Sequence, residues 1–412
     1  MNGRLVRIVL GIALGAATLA ATATATAANG APDIGAYTWT KVYDGQDQGW
    51  AGRAGLQAVE LRNRLYVMGG RTPDPTVLNP FGSTLWNDVW VSGDVGKTWR
   101  QVTNGAPWAA RGYFQAVTKG GSMFVLGGQD FRVVSNPIFP GQCPPAPIPC
   151  PPFVPASQFF NDVWASRDGS SWTELTPAAP WAGRAGLSAI VFKGWIYVLG
   201  GGSGDDVAIG GSGRVLYDDV WRSRDGASWE LVTDDAPWPA RAGAALVEKG
   251  GFLYLLGGED GFLCVPGAGG LDCPYFNDVW RSRDGASWEL VTMAAGWSPR
   301  PGHQCQALLD RIVCFGGFGW PVGFPPGPFA PGHPADVWVS RDGARWEQVS
   351  DNPWNAVSSA DVKYDFDSLV VRGGPGGQRP AIFTFGGDRE VSFADPSPAL
   401  VDDEVWRFAP PG

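Results

Sequence analysis

Five arginines are the residues whose type and spacing most clearly suggest chemistry. Each stands sixteen positions before a Gly-Gly pair, and they are Arg53, Arg111, Arg184, Arg241 and Arg300. A guanidinium group binds carboxylates and phosphates through paired hydrogen bonds. If the fold brings the five together, they form a positive site for a ligand that carries such a group. The alternative is that each arginine pairs with an aspartate or a backbone carbonyl as part of a structural repeat.

A sixth glycine pair, Gly386-Gly387, departs from this spacing. The matching place after Trp354 holds Val357, and the segment KYDFD at Lys363–Asp367 lies between it and the glycines. Tyr364, Asp365 and Asp367 bring phenol and carboxyl groups to this part of the chain. The sixth repeat therefore differs in chemistry from the other five.

Metal and cofactor chemistry is poorly supported. His303 and His333 are the only histidines, and no Cys-x-x-Cys motif occurs. Asp205-Asp206 and Asp402-Asp403 could contact Ca²⁺, but they lack the full ligand pattern of a calcium loop. We expect no metal site, no cofactor and no recognisable catalytic constellation.

The cysteines favour disulfides. Six cysteines fall into three local pairs, and an even number in an exported chain is typical of disulfide bonding. Proximity along the chain favours three short-range disulfide bonds. The bond nearest the C-terminus would join two strands across the turn Leu309-Asp310. The pairs are Cys143 with Cys150, Cys264 with Cys273, and Cys305 with Cys314.

The stretch DVWRSRDGASWELVT occurs twice, at Asp219–Thr233 and Asp278–Thr292. Its polar Ser-Arg-Asp-Gly core could be a catalytic motif. The interpretation we favour is a hairpin turn between two strands, because aspartate can accept backbone N–H bonds and glycine can adopt positive φ.

The larger repeat has a period near sixty residues and predicts an all-β fold. Each unit has a strand after the arginine, strand a; a strand that ends in Gly-Gly, strand b; a Val-Trp strand, strand c; and a strand with a second Trp, strand d. Four-stranded units at this period are typical of propeller blades. The first segment, Tyr37 to Val42, has the Trp-x-x-Val pattern of the fourth strand, and the last blade lacks one. We therefore predict six blades, the N-terminal strand closing the last of them.

This pattern resembles the kelch repeat, and SGDVGKTW at Ser92–Trp99 resembles the Asp-box of sialidase-type propellers. The resemblance covers roughly residues 37 to 409. It implies a six-bladed propeller, a structural role for His303, and either a binding protein or, less often, an enzyme. Some kelch propellers bind acidic ligands through arginines near the channel mouth, which agrees with an arginine site.

Function is expected on one face of the propeller. In an antiparallel blade, the short a–b and c–d turns share one face, and the long b–c insertions and d–a linkers share the other. We expect this long-loop face to bind a protein or a glycan, with Trp320 as an exposed contact. Six further tryptophans enter the blades and either stack on ligands or pack between blades: Trp50, Trp108, Trp181, Trp238, Trp297 and Trp354. The alternatives are an acidic-sugar enzyme such as a sialic-acid mutarotase, and a purely structural protein.

The N-terminus predicts export. Arg4 and Arg7 precede an apolar, alanine-rich stretch that ends at Ala25-Thr26-Ala27, the pattern of a signal peptide over residues 1–27. Residues 28–36 would be a short linker, and residues 37–412 the propeller. The formal net charge of −9 is unfavourable for binding nucleic acid or an anionic lipid surface. We expect a secreted or periplasmic protein whose partner is a protein or glycan, with no transmembrane segment after cleavage.

Overall fold

Six four-stranded antiparallel sheets make up the fold in the computed structural model. The structure describes residues 33–45, 49–73, 82–135, 153–205, 213–261, 265–267, 270–272, 274–319, 333–372, 379–389 and 400–411. Within them, regular structure is almost entirely β-strand. Three short 3₁₀ helices occur at Ile34–Ala36, Pro353–Asn355 and Ser359–Asp361. An all-β propeller of six blades, as predicted, is confirmed.

The first three blades follow one plan, with a small two-stranded extension in each b–c insertion. The first strand of the chain is β1 (Thr38–Tyr43). Blade one contains β2 (Gln57–Leu61), β3 (Arg64–Met68), the extension β4 (Arg71–Thr72) and β5 (Thr84–Leu85), β6 (Val89–Ser92) and β7 (Arg100–Thr103). Blade two contains β8 (Gln115–Lys119), β9 (Ser122–Leu126), the extension β10 (Val133–Ser135) and β11 (Phe153–Pro155), β12 (Val163–Ser166) and β13 (Trp172–Thr176). Blade three contains β14 (Ser188–Phe192), β15 (Trp195–Leu199), the extension β16 (Gly202–Ser203) and β17 (Val215–Leu216), β18 (Val220–Ser223) and β19 (Trp229–Thr233).

The remaining blades repeat the plan. Blade four contains β20 (Ala245–Lys249), β21 (Phe252–Glu259), the extension β22 (Val265–Gly267) and β23 (Gly270–Asp272), β24 (Tyr275–Ser282) and β25 (Trp288–Thr292). Blade five contains β26 (Gln304–Leu308), β27 (Arg311–Phe315), β28 (Val337–Ser340) and β29 (Trp346–Ser350). Blade six contains β30 (Asp367–Val371), β31 (Ala381–Phe385) and β32 (Val405–Ala409).

The ring is closed by strand β1, as the sequence predicts. It pairs antiparallel with β32, with Thr38 opposite Ala409 and Lys41 opposite Trp406, and so supplies the fourth strand of blade six. Ile34, which the sequence analysis assigned to a linker, is only 5% exposed and packs in the core between blades five and six. Strand β1 thus covers the edge that β32 would otherwise leave unpaired.

The first strand of each blade lies at the axis. These a strands contact one another around the ring, and β30 of blade six contacts β2 of blade one. The a–b and c–d turns therefore meet at one face of the disc, and the b–c insertions and d–a linkers meet at the other.

Tryptophan pairs fill the space between blades. In blades one to five, the Trp that enters the blade meets the Trp of that blade's fourth strand edge-on, as with Trp238 and Trp288, whose ring centroids are 6.0 Å apart. Trp238 is 1% exposed and packs with apolar side chains of two neighbouring blades. The six entering tryptophans are all buried, so packing between blades, rather than stacking on a ligand, is their role.

The Ser-Arg-Asp-Gly core is a structural turn. The Ser223 hydroxyl accepts the N–H of Gly226 at 2.8 Å, and Asp225 accepts the N–H groups of Ala227 and Ser228. Hydrogen bonding, above all from the Ser228 N–H, lowers the pKa of Asp225. Gly226 has φ of +82°, and a Cβ there would lie 2.9 Å from the Phe124 ring of the preceding blade. The structural interpretation of this stretch is confirmed.

One disulfide is present in the described residues. Cys305 and Cys314 stand opposite each other on β26 and β27 and are bonded across the turn Leu309-Asp310, as predicted. Cys143, Cys150, Cys264 and Cys273 lie outside the described residues, so their pairing stays a prediction. No helix in the described part of the chain is long and apolar enough to cross a membrane.

Candidate functional site: the axial end of the long-loop face

The five spaced arginines are buried in ion pairs. Arg241, for example, is 1% exposed and binds both carboxylate oxygens of Asp278, at 2.6 and 2.9 Å. Its remaining N–H groups donate to the carbonyl oxygens of Gly257 and Pro239. The ring of Phe276 covers the guanidinium at 4.1 Å. Four of the five N–H groups of this guanidinium are therefore used in hydrogen bonds within the protein.

The other four arginines repeat this arrangement. Each is at most 2% exposed and forms a bidentate pair with the aspartate before the Val-Trp of its own blade. The pairs are Arg53 with Asp88, Arg111 with Asp162, Arg184 with Asp219, and Arg300 with Asp336. The expectation of an open arginine site has to be corrected, because these guanidinium groups present no surface to a ligand. The alternative, in which the arginines belong to the repeat, describes the observed geometry.

In blade six, a lysine replaces the arginine. Lys363 is 1% exposed and lies 2.7 Å from Asp402 and 2.9 Å from Glu404. Its backbone carbonyl accepts the Gly317 N–H, as the Arg300 carbonyl accepts the Gly258 N–H one blade earlier. Assigning Val357 to this place was wrong, since Val357 is 96% exposed, and eight residues separate Trp354 from Lys363 where the other blades have two between the tryptophan and the arginine.

A closed ring of backbone hydrogen bonds surrounds the axis at the long-loop face. The residue two places after each arginine, or after Lys363, donates its N–H to the carbonyl of its counterpart in the preceding blade, over distances of 2.7 to 3.2 Å. The six residues are Gly55, Tyr113, Gly186, Gly243, Gly302 and Asp365. We call them the axial ring. All six have positive φ, from +51° to +64°.

Tyr113 and Asp365 break the pattern of the axial ring. Four blades use glycine, the residue that adopts positive φ without strain, whereas Tyr113 has φ of +56° and Asp365 of +51°. Gly302 leaves the room that Asp365 uses, since a Cβ on Gly302 would lie 2.7 Å from the Asp365 carboxylate. Strained non-glycine residues of this kind cluster at functional sites. Both side chains are partly exposed.

A polar cluster surrounds these two side chains. Arg71 donates to the Tyr113 hydroxyl at 2.9 Å and to Asp388 at 2.9 Å, so it joins blades one, two and six. Arg71 and Asp388 each directly follow a Gly-Gly pair and are 2% and 0% exposed. Tyr364 is buried beside them. We call Arg71, Tyr113, Tyr364, Asp365 and Asp388 the axial cluster.

The axial cluster has an unusual protonation balance. The pKa of Asp365 is raised to about 7, with burial as the largest cause; Asp388 adds to the rise, and Arg71 and the Tyr113 hydroxyl oppose it. Burial also raises the pKa values of Tyr113 and Tyr364 well above that of a free phenol. Arg71 stays charged, since Tyr113 and Asp388 more than offset its burial. Near neutral pH, the cluster therefore contains a carboxyl group that can either donate or accept a proton.

A second group of side chains continues the cluster on the side of blades four and five. Glu259, which also follows a Gly-Gly pair, accepts a hydrogen bond from Arg214 at 2.9 Å. Burial raises the pKa of Tyr275, and Glu259 adds to this rise. Phe318 contacts Tyr275 and Tyr364, with ring centroids 6.1 and 5.4 Å apart. These residues extend a partly apolar wall beside the polar cluster.

The two histidines have different surroundings. His303 is 2% exposed on the ring of Trp297, and burial together with Arg300 lowers its pKa to about 3, which fits the structural role expected of it. His333 is buried with its ring centroid 5.1 Å from that of Tyr364, so it borders the axial cluster. The described residues contain no group of three or more His, Cys, Asp or Glu side chains placed to hold a metal ion.

Sequence reasoning found only part of this site. It singled out Tyr364 and Asp365 in the divergent sixth repeat but missed Arg71, Tyr113 and Asp388. The available signal was departure from the repeat: the axial ring position is glycine in four blades, and the residue after Gly-Gly differs in every blade. Trp320, the predicted exposed contact, lies outside the described residues.

The repeats and the fold together define a six-bladed β-propeller that is similar to kelch-type propellers. The mouse Kelch domain-containing protein 1 is 30% identical over 148 residues, a match that covers 33% of this chain and 32% of the relative. The chain thus spans about a third of the length of that curated relative. The solved structure of YjhT superposes with a TM-score of 0.57 at 14% identity, covering 87% of this chain and 95% of that one, which shows a shared fold. No family model matches the chain.

Proposed function

We propose that this propeller is a secreted binding protein that holds a glycan at the axial cluster of its long-loop face. The observation that carries the proposal is the replacement of glycine by Tyr113 and Asp365 in the axial ring. The repeat itself is satisfied by glycine there, so the strain of these two residues is unnecessary for the fold. Export is supported by the signal-peptide pattern of residues 1–27.

The chemistry of the axial cluster favours sugar hydroxyls over a carboxylate-bearing ligand. Arg71 is already neutralised by Asp388, and Asp365 and Glu259 add further carboxyl groups. Carboxylates accept hydrogen bonds from hydroxyl groups, and the tyrosine hydroxyl can donate or accept. Phe318 offers an apolar face of the kind on which the C–H side of a sugar ring packs.

The test is binding of the mature protein to a glycan array, followed by affinities for the best ligand. Tyr113→Gly and Asp365→Gly install the residue that the other four blades use, so both variants should fold and lose at least tenfold in affinity. Asn63→Gly is the matched control, because Asn63 also has positive φ, at +59°, but lies in a turn on the opposite face. Its affinity should equal that of the wild type.

Binding of peptides but of no glycan would contradict the glycan assignment. Full affinity in both axial variants would contradict the location of the site. Either outcome can be recognised only if the variants are folded, which a cooperative thermal transition establishes.

A second candidate function is acid–base catalysis on a sugar, and the pKa of Asp365 near 7 favours it. A carboxyl group poised near the working pH is suited to proton transfer. NMR measurement of anomer exchange in reducing sugars tests this directly. We expect acceleration by the wild type and none by Asp365→Asn; exchange no faster than in buffer would refute the catalytic role.

A further inference from the structure

The short-loop face carries positive charge although the protein as a whole is acidic. In the described residues, every a–b turn contains or borders a lysine or arginine, and so does every c–d turn of blades one to five. In the described residues of the opposite face, carboxylates outnumber cations in the b–c insertions. The formal net charge of −9 therefore conceals two faces of opposite sign.

Lysine–arginine pairs mark three consecutive blade junctions on this face. The Lys193 ammonium donates to the Arg283 carbonyl oxygen at 2.7 Å, and Lys249 donates to the Arg341 carbonyl oxygen at 2.6 Å. Lys119 makes the same bond to Arg224. Each bond brings the lysine of one blade beside the arginine of the next. We call these six residues the basic arc.

Aromatic rings hold two of the arginines of the arc in place. The Arg224 guanidinium lies 4.0 Å from the Trp195 ring centroid, and Arg222 lies 4.4 Å from the same ring. Arg283 lies 4.0 Å from the Phe252 ring centroid. Stacking limits the freedom of these side chains and keeps their charge at the surface.

The carboxylates of the same turns are turned toward their own backbone. Asp225 and Asp284 each accept two backbone N–H bonds and a serine hydroxyl within the turn. Arg224, Arg283 and Arg341 are exposed beside them, with 70% of the Arg341 side chain exposed. Asp225 and Asp284 are exposed as well, and the Arg341 guanidinium lies 3.6 Å from the Asp310 carboxylate. Because the turn carboxylates are engaged by their own backbone N–H groups, the lysines and arginines are the charged groups most available to a partner.

We propose that the short-loop face docks on an anionic phospholipid bilayer. All of its connections in the described residues of blades one to five are short turns, so the charges lie near one plane and face the same way. A planar anionic surface can meet them together. Docking in this orientation leaves the axial cluster, on the opposite face, accessible. Each basic residue close to an anionic bilayer strengthens binding by about fivefold.

Vesicle co-sedimentation of the mature protein tests the proposal. We expect binding to vesicles of equal parts phosphatidylcholine and phosphatidylglycerol, no binding to phosphatidylcholine alone, and loss of binding at high salt. The triple variant Arg224→Gln, Arg283→Gln, Arg341→Gln should bind about 100-fold more weakly, from three fivefold losses. It keeps the junction bonds, because those bonds use the backbone carbonyls.

Two controls separate charge from fold. Replacing Lys119, Lys193 and Lys249 by arginine keeps the charge and should keep vesicle binding. Arg132→Gln removes an exposed cation from the long-loop face and should have no effect on vesicle binding.

Equal binding to both vesicle types, or full binding by the triple arginine variant, would overturn the proposal. So would tight binding to soluble polyphosphate without binding to phosphatidylglycerol vesicles, which would make the partner a free polyanion.

Discussion

Replacing Asp365 should stabilise the protein at alkaline pH and not at acidic pH. In the folded chain, the Asp365 carboxyl is buried among Arg71, Asp388 and the Tyr113 hydroxyl, and its pKa is about 7 against an ordinary value of 3.8. The folded state thus binds this proton more tightly than the unfolded state does. The stabilisation from this tighter proton binding is complete at pH values below the pKa of Asp365 in the unfolded chain. It is lost as the pH rises through about 7, the pKa in the folded chain.

The size of the effect follows from the same two pKa values. A difference of about three corresponds to about 4 kcal/mol of destabilisation once the carboxyl ionises. Partial exposure of the side chain reduces this figure, so we expect Asp365→Asn to gain about 2–4 kcal/mol over the wild type near pH 8. Asparagine has nearly the same size and tolerates positive φ, so the axial ring should be preserved.

Urea unfolding of both proteins at about pH 8 and about pH 4 measures the difference. We expect Asp365→Asn to be the more stable protein at the higher pH and nearly equal to the wild type at the lower. The pKa of Asp367 is also raised to about 7 by burial, but this residue is present in both proteins and cancels in the comparison. The same difference at both pH values would refute the idea that ionisation of Asp365 opposes folding.

Three further predictions concern the scaffold. Arg241→Ala leaves Asp278 buried without its partner and should lower the free energy of unfolding by about 3–5 kcal/mol in a urea titration. Reduction of the Cys305–Cys314 bond should lower it by about 2–3 kcal/mol, because the bond closes a short loop; a reduced protein of unchanged stability would contradict this. Ser223→Ala leaves the Gly226 N–H without its acceptor and should cost about 1–2 kcal/mol in thermal unfolding, with ligand affinity unchanged.

The fold could be predicted from the sequence because it is repeated six times. Gly-Gly, Val-Trp and the second Trp each impose a local requirement that recurs from blade to blade, and the missing fourth strand of blade six pointed to Tyr37–Val42, which overlaps the observed β1 (Thr38–Tyr43). The role of the arginines could not be decided in this way. Whether a guanidinium faces the channel or the aspartate 35 to 51 residues later depends on side-chain packing, which repetition alone does not specify.

The axial cluster was harder to predict because its residues come from separate repeats. Arg71 and Asp388 are 317 positions apart, and only closure of the ring brings them to 2.9 Å. Each is unremarkable in its own blade, as a single residue after Gly-Gly. The strain at Tyr113 becomes visible only when the same position in the other blades is seen to be glycine. In a repeat protein, residues that keep the pattern build the scaffold, and residues that break it are the better candidates for function.

The buried arginines still affect the proposed site, because they position the residues that form it. Arg53 donates to the Gly69 carbonyl at 3.0 Å, two residues before Arg71, and the next residue, Ala54, exchanges two backbone hydrogen bonds with Arg71. Arg184 makes the equivalent contacts in blade three, where the residue after Gly-Gly is Gly202 and has no side chain to position.

Arg53→Lys and Arg184→Lys should therefore differ in function but not in stability. Each variant replaces a bidentate pair by a single contact, so similar losses in unfolding free energy are expected. Only Arg53→Lys should weaken binding of the glycan found on the array. In blade one, the residue after Gly-Gly is Arg71 of the axial cluster, whereas in blade three it is Gly202. Equal affinities in the two variants would show that the buried pairs stabilise the blades without positioning the site.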